Sequence, residues 1–375
     1  MHIVMLASTH PPTDARIFRK EAKTLVDAGH SVTILTMANG EYEVDFGVQF
    51  KLLSRPKNRY LRVLKGKKLA QRALELDADI YIIHDPEILY AGRWLARRGK
   101  KYVYDAHELY PDFITEKNWV PKPLKPIVRS LVAHEEMRGA ESAAGLIVAM
   151  RENAERLAPS GKPILTLHNF PRLDDIAEKI GEKENSVIYV GGIMDVRFGK
   201  EMLAMAKYFA PSEILDGWRL EILGPVHRER YIEECLRVVK SHKNKEYLHF
   251  PAEYIPYNEA LKKIERAKFG ISLIRPTRKY RQCISGKVFD YMAKGTVPVT
   301  TWLPSYEGLV SEADGPVFVQ PGEEERVPYI IADLAKDEAA LRQRAERCIE
   351  SCRTKFNWER EGKELPGFLE RLVNT

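Results

Sequence analysis

The chain opens HIVMLASTHPPTDARIF (2–18), and the reading of this stretch decides the fold. Residues 2–7 are an apolar run with no polar face, the pattern of a strand buried on both sides of a sheet. Phe18 already belongs to an amphipathic helix that runs to about Ala28. Strand, turn and helix form the first unit of a doubly wound sheet. A dinucleotide-binding version would have a glycine-rich turn, so that backbone can approach a pyrophosphate. This turn has no glycine. It holds His10, Pro11, Pro12 and the triplet Asp14-Ala15-Arg16, so it is expected to serve some other ligand.

The alternation continues along the chain. Strand patterns fall at 2–7, 31–36, 48–53, 79–83, 101–104, 144–149 and 163–167, with amphipathic stretches at 16–28, 60–75, 86–98 and 125–141 between them. The segment 171–185 is polar and charged and reads as a linker. The pattern restarts at 186–191, 218–223, 246–250, 269–274 and 296–300. Two successive α/β domains, each with a parallel sheet covered on both faces, account for this most economically. The final stretch, FNWEREGKELPGFLERL (356–372), is a helix expected to pack back on the first domain.

The 375 residues suit two domains of ordinary size, and 44% hydrophobic with 30% charged content is that of a globular protein. The most apolar run, 143–150, is far too short to span a bilayer. No signal peptide is expected, and Cys235, Cys283, Cys348 and Cys352 read as reduced thiols of a cytoplasmic protein. The whole net charge of +6 falls in residues 1–170, where Lys and Arg outnumber Asp and Glu by 26 to 20. Much of it lies in KNRYLRVLKGKKLAQRAL (57–74). That stretch is either a solvated helix face or a surface for anionic lipid headgroups. No nucleic-acid-binding motif accompanies the charge, so nucleic acid is not an expected partner.

Ligands of doubly wound sheets bind beyond the carboxyl ends of the strands. In the first half His10, Asp14 and Arg16 follow strand one, His84 and Asp85 follow DIYII, and Asp105, His107 and Glu108 follow KYVY. Three loops with histidine and carboxylate on one rim point to a functional cleft. In the second half Gly191 and Gly192 end the first strand, and ISGKVFDYMAKGTVPVTT (284–301) reads as a helix followed by a strand. Ser285 is expected to cap that helix, and Ser285-Gly286-Lys287 offers amide hydrogens, the positive dipole end and a lysine, a seat for a diphosphate. Asp290, one turn on, can accept from ribose hydroxyls. Two such domains across a cleft suggest an enzyme of nucleotide-sugars.

HDPEILYAGRWLARRGKKYVYDAHELYPD (84–112), LHNFP (167–171), VIYVGGI (187–193) with RFG (197–199), and KVFDYMAKGTVPV (287–299) together resemble the retaining GT-B glycosyltransferases of family four. The resemblance implies two Rossmann-like doubly wound domains facing across a cleft. Residues 1–170 would bind the acceptor, 186–355 the nucleotide-sugar donor, with 356–375 packed back on the first domain. It places Asp290 where relatives have a ribose-binding glutamate. Gln282 falls where they have a second, donor-holding glutamate. Many relatives hold the diphosphate with two cations after the first donor-domain strand. Here the nearest are Arg197 and Lys200, and Arg197 with Lys287 is the expected clamp. His107 matches a histidine that relatives keep near the reacting sugar, with Asp105 and Glu108 as its orienters. His10, Asp14, Arg16, His84 and Asp85 would meet the acceptor. TEKNWVPKPLKP (115–126), with Trp119, would suit the acceptor entrance or a membrane rim.

The implied activity is retaining transfer of a sugar from a nucleotide diphosphate-sugar to a glycan or lipid-linked acceptor in cell-envelope polysaccharide biosynthesis. It would proceed without cofactor or metal, in the cytoplasm, with a peripheral place at the inner face of the membrane. A nucleotide-sugar 2-epimerase shares the architecture, and a non-catalytic GT-B subunit is the reading outside enzymes.

Overall fold

Thirteen strands form among the described residues, and every pair that shares hydrogen bonds is parallel. The computed structural model describes residues 1–40, 46–56, 59–115, 120–226, 229–242 and 246–375. Met1–Asn169 with Trp358–Thr375 make one compact unit and Phe170–Asn357 the other.

The first unit is built on β1 (His2–Ala7), β2 (Ser31–Met37), β3 (Gln49–Leu53), β4 (Ile80–Ile83), β5 (Tyr102–Ala106), β6 (Gly145–Val148) and β7 (Ile164–Thr166), in the order β3-β2-β1-β4-β5-β6-β7. The apolar run of β1 is explained by its central place. Ile3, Met5 and Ala7 point to one face, where they meet Ile17, Phe18 and Leu25 together with Trp358, Leu365 and Leu369. Val4 and Leu6 point to the other, among Leu69, Leu89, Leu95 and Ala140 of three helices. The end of the chain is thus part of this unit's core. It forms two helices, Trp358–Gly362 and Glu364–Asn374, where one was expected. Burying Trp358 completely contributes on the order of 2–3 kcal/mol, and its indole N–H donates to Thr24 Oγ1 at 2.8 Å.

The second unit carries β8 (Glu184–Val190), β9 (Arg219–Leu223), β10 (Leu248–His249), β11 (Ala267–Ser272), β12 (Val297–Thr301) and β13 (Val317–Val319), ordered β10-β9-β8-β11-β12-β13. Strand β13 was not among the expected strands. Residues 171–185, expected as a linker, belong to the body of this unit. Ile176 and Ala177 are buried with Val288, Phe289 and Met292, and Ala177 N–H donates to Ala293 O at 2.8 Å. The polar run 178–185 had masked that short apolar anchor.

Candidate active site

In the first unit the polar side chains converge on Asp105, fully buried at the end of β5. Arg16 forks its carboxylate, Nε to Oδ2 at 3.1 Å and Nη2 to Oδ1 at 2.9 Å, and donates from Nη1 to Leu167 O. His84 Nδ1 and His107 Nδ1 lie 2.9 and 3.1 Å from Oδ2. Burial alone would raise the Asp105 pKa, but Arg16, His107 and His84 outweigh it and hold the group well below the usual carboxylate range. An ionised carboxylate only accepts, so each histidine carries its proton on Nδ1. For His107 this leaves Nε2 for a ligand. The buried His84 is kept neutral by desolvation.

The glycine-free turn builds the wall beside this hub. Asp14 Oδ1 accepts from the amides of Arg16 and Ile17, which starts the helix, and Oδ2 lies 3.2 Å from His10 Nδ1. His10 Nε2 lies 3.5 Å from Asp85 Oδ1. Burial disfavours the imidazolium, yet the Asp14 bond and the charges of Asp85, Asp14 and Asp105 lift the His10 pKa to about 9. His10 is therefore a cation at neutral pH, its ring edge-on to His107 at 5.1 Å.

Several expected contacts are corrected here. Arg16 is buried against Asp105 and does not face an acceptor. His84 is likewise enclosed and orients Asp105. Asp85 is committed to the Ser8 amide at 2.5 Å, the Thr9 amide at 3.1 Å and the Thr9 hydroxyl, so it shapes the turn and leaves no oxygen for an acceptor. Glu108 is exposed, and its carbonyl accepts from Asn153, so among the described residues Asp105 and not Glu108 orients His107. His84, Asp105 and His107 place donor atoms within 4.8 Å of one another. The guanidinium that forks the carboxylate opposes a metal ion there, and the set acts as a hydrogen-bond hub.

In the second unit the chain turns after β8 at Gly191, whose φ of +137° suits glycine. A Cβ on Gly191 would lie 2.4 Å from Lys287 Cε, and one on Gly224 only 2.1 Å from Gly191 O. Gly224 lets the two loops pack backbone to backbone, and Gly191 leaves room for the end of the Lys287 side chain. Arg197 Nη1 donates to Gly192 O at 3.3 Å, and Lys287 Nζ lies 5.8 Å from the Tyr189 ring centre. Burial, then repulsion from Arg197, pulls the Lys287 pKa down to about 7. Neither cation has a carboxylate partner among the described residues. Asp290, one turn on, accepts from Tyr257 at 2.9 Å.

Two expectations fail in this unit. Ser285 does not cap the helix with its side chain; its hydroxyl turns to Ser272 Oγ at 2.8 Å. Lys200 is drawn to Glu234 at 2.8 Å and lies over the Tyr231 ring, so it is not part of the cation pair. Gln282 sits in the turn just before the helix. Sequence reasoning missed Ser8, Thr9 and Glu21 in the first unit and Tyr189 in the second. Only Tyr189, a polar-tipped residue near a strand's carboxyl end, carried a signal.

Residues 15–170 match the model of Glycosyltransferase Family 4. No curated protein matches the sequence. Among solved structures, sucrose-phosphate synthase from Thermosynechococcus elongatus superposes with a TM-score of 0.77 at 14% identity, covering 100% of this chain and 99% of that one. HepE of Anabaena in complex with UDP gives 0.73 at 13% identity over 99% and 100%. An α,α-trehalose-phosphate synthase (UDP-forming) from Burkholderia vietnamiensis gives 0.70 at 12% over all of both chains. The chain has the GT-B fold and is a glycosyltransferase.

Proposed function

We propose that the chain transfers a sugar, with retention, from a nucleotide diphosphate-sugar to a glycan or lipid-linked acceptor in cell-envelope polysaccharide biosynthesis. The observation that carries the donor class is the pair Arg197 and Lys287. Two neighbouring cations with no carboxylate in ion-pair contact among the described residues, one with its pKa pulled down to about 7, gain free energy when an anion enters between them. A diphosphate fits the pair, the Gly191 and Gly224 backbones that admit close approach, and the helix N-terminus at Gly286. Asp290 would take the ribose hydroxyls, exchanging its bond from Tyr257. HepE bound to UDP-glucose supports UDP as the first nucleotide to try.

The chemistry assigned to the residues is electrostatic. Arg197 and Lys287 neutralise the departing diphosphate, a role worth on the order of 2–4 kcal/mol of barrier per group. They provide the positive charge for which other transferases use a metal ion. The leaving phosphate takes the acceptor's proton, while His107 Nε2 and the His10 cation position the reacting hydroxyls.

For the acceptor, a membrane surface is the natural source if it is lipid-linked. Lys67, Lys68 and Arg72 are exposed on the helix Arg59–Glu75. That helix packs on Leu89–Ala96, which packs on Lys125–Ser142, where Ile127 and Leu131 are 57% and 61% exposed. Lys57 and Trp119, also expected there, lie outside the described residues. No helix among the described residues is long and apolar enough to cross a membrane.

A thermal-shift panel of UDP-, GDP-, ADP- and CMP-sugars tests the donor reading. At least one nucleotide should raise Tm in the wild type and fail to do so in Lys287→Ala. No response to any of them would overturn it.

A further inference from the structure

Glu21 has no part in the reading above, yet it is completely buried beside the hub. It stands on a π-helical turn, Ile17–Ala22, that precedes the short α-helix Lys23–Asp27. The bonds Arg19 N to Asp14 O (3.3 Å) and Glu21 N to Arg16 O (3.0 Å) span five residues. The wide turn therefore sets Glu21, and not Lys20, over Arg16. Glu21 Oε1 lies 2.9 Å from Arg16 Nε and Oε2 lies 3.9 Å from His84 Nδ1. Neither oxygen accepts a well-formed hydrogen bond from a described donor. The same Arg16 Nε that lies 2.9 Å from Glu21 donates to Asp105 Oδ2 at 3.1 Å, so the two carboxyls crowd one guanidinium, and two ionised carboxylates cannot bond each other.

The charges facing Glu21 are few. Arg16 comes from its own helix, His84 from the end of β4 and Asp105 from the end of β5, with Asp14, His107 and His10 in the next layer out. His84 is neutral, so one guanidinium serves two carboxyls in a space closed to solvent. With both ionised the space would hold an uncompensated negative charge; with one proton it is neutral. Asp105 takes the Arg16 fork and both histidine bonds, so it stays ionised. Burial, then the Asp105 charge, pushes the Glu21 pKa well above its usual value.

We propose that Glu21 is a positioning residue, a neutral carboxylic acid whose O–H bonds Asp105, shares its negative charge and so sets how much of that charge reaches His107. The arrangement keeps His107 Nδ1–H aimed at Asp105. The proposal rests on His107 as the site residue of the first unit, but its test does not depend on sugar transfer.

The experiment is an NMR titration of the His107 imidazole in wild type, Glu21→Gln and Glu21→Leu, with infrared difference spectra of wild type against Glu21→Gln at neutral pH. Glutamine keeps a neutral donor of the same shape, so the His107 midpoint should stay in place. Leucine leaves Asp105 unshared, so the midpoint should rise by about one pH unit. The wild type should show a protonated-carboxyl C=O band that Glu21→Gln lacks. A midpoint that falls in Glu21→Gln, a midpoint unmoved in Glu21→Leu, or a missing carboxyl band overturns the proposal. If the midpoints and the band behave as stated while His107→Ala keeps full turnover, the inference about Glu21 stands and the functional reading of His107 fails.

Discussion

Arg16 and Asp105, 89 residues apart, are joined by two hydrogen bonds of 3.1 and 2.9 Å in a space closed to solvent. The fork fixes the first βα turn against the end of β5 and with it the three histidines of the rim. It also gives the D-x-R triplet its physical reason. Asp14 starts the helix, and Arg16 reaches across to Asp105 at the end of β5, two strands from β1 in the sheet.

Removing one partner of this pair should be severe. Arg16→Met leaves Asp105 as a buried, unpaired carboxylate and should lose about 3–5 kcal/mol of stability by denaturant titration. Asp105→Asn should lose less, because Glu21, 2.9 Å from Arg16 Nε, can ionise in its place. The double variant should lose less than the sum, because neither charge is then stranded. Additive losses would show that the pair is not coupled.

His10 makes stability depend on pH in a defined window. Its folded pKa is about 9 against an unfolded value near 6.5. A raised histidine pKa contributes stability that is fully present below the unfolded pKa and is lost as pH rises through the folded one. Wild type should therefore exceed His10→Gln in Tm most at about pH 6, with the gap closing between about pH 6.5 and 9. A gap that widens with pH would reverse the sign and refute the charge assigned to His10.

The strands were legible because a doubly covered parallel strand is a solid apolar run, as in β1 and β4. Strand ends were legible too, so the rim residues were placed on the right loops. What the sequence did not carry is which rim side chains turn inward. Arg16 and His84 look like ligand residues by type, and only the fold shows that both are spent on Asp105. Glu21 reads as part of a helix's polar face under a 3.6-residue period, and a π-helical turn moves it into the interior. Lys200 and Arg197 are indistinguishable by spacing. Glu234, 34 residues on, decides that only Arg197 stays beside Lys287.

The depressed Lys287 predicts a proton linked to donor binding. With a pKa of about 7 the free amine predominates at pH 8. A diphosphate seated between Lys287 and Arg197 favours the ammonium, so binding at that pH should take up close to one proton. Calorimetry of UDP binding in buffers of different ionisation enthalpy measures this uptake. It should shrink as pH falls below about 6 and vanish in Lys287→Met. Uptake unchanged in that variant would assign the proton elsewhere.

The membrane surface is the last expectation, and its two components separate by salt. Attraction of Lys67, Lys68 and Arg72 to anionic headgroups contributes about 1 kcal/mol per residue near the surface and is screened within about 8 Å at physiological ionic strength. The contribution of Ile127 and Leu131 comes from apolar area and survives added salt. Co-sedimentation with phosphatidylglycerol vesicles should therefore exceed that with phosphatidylcholine and fall with salt. Lys67→Glu with Lys68→Glu should remove the salt-sensitive part, and Ile127→Ser with Leu131→Ser the remainder. Binding equal on both lipids and indifferent to salt would leave the basic helix as a solvated face.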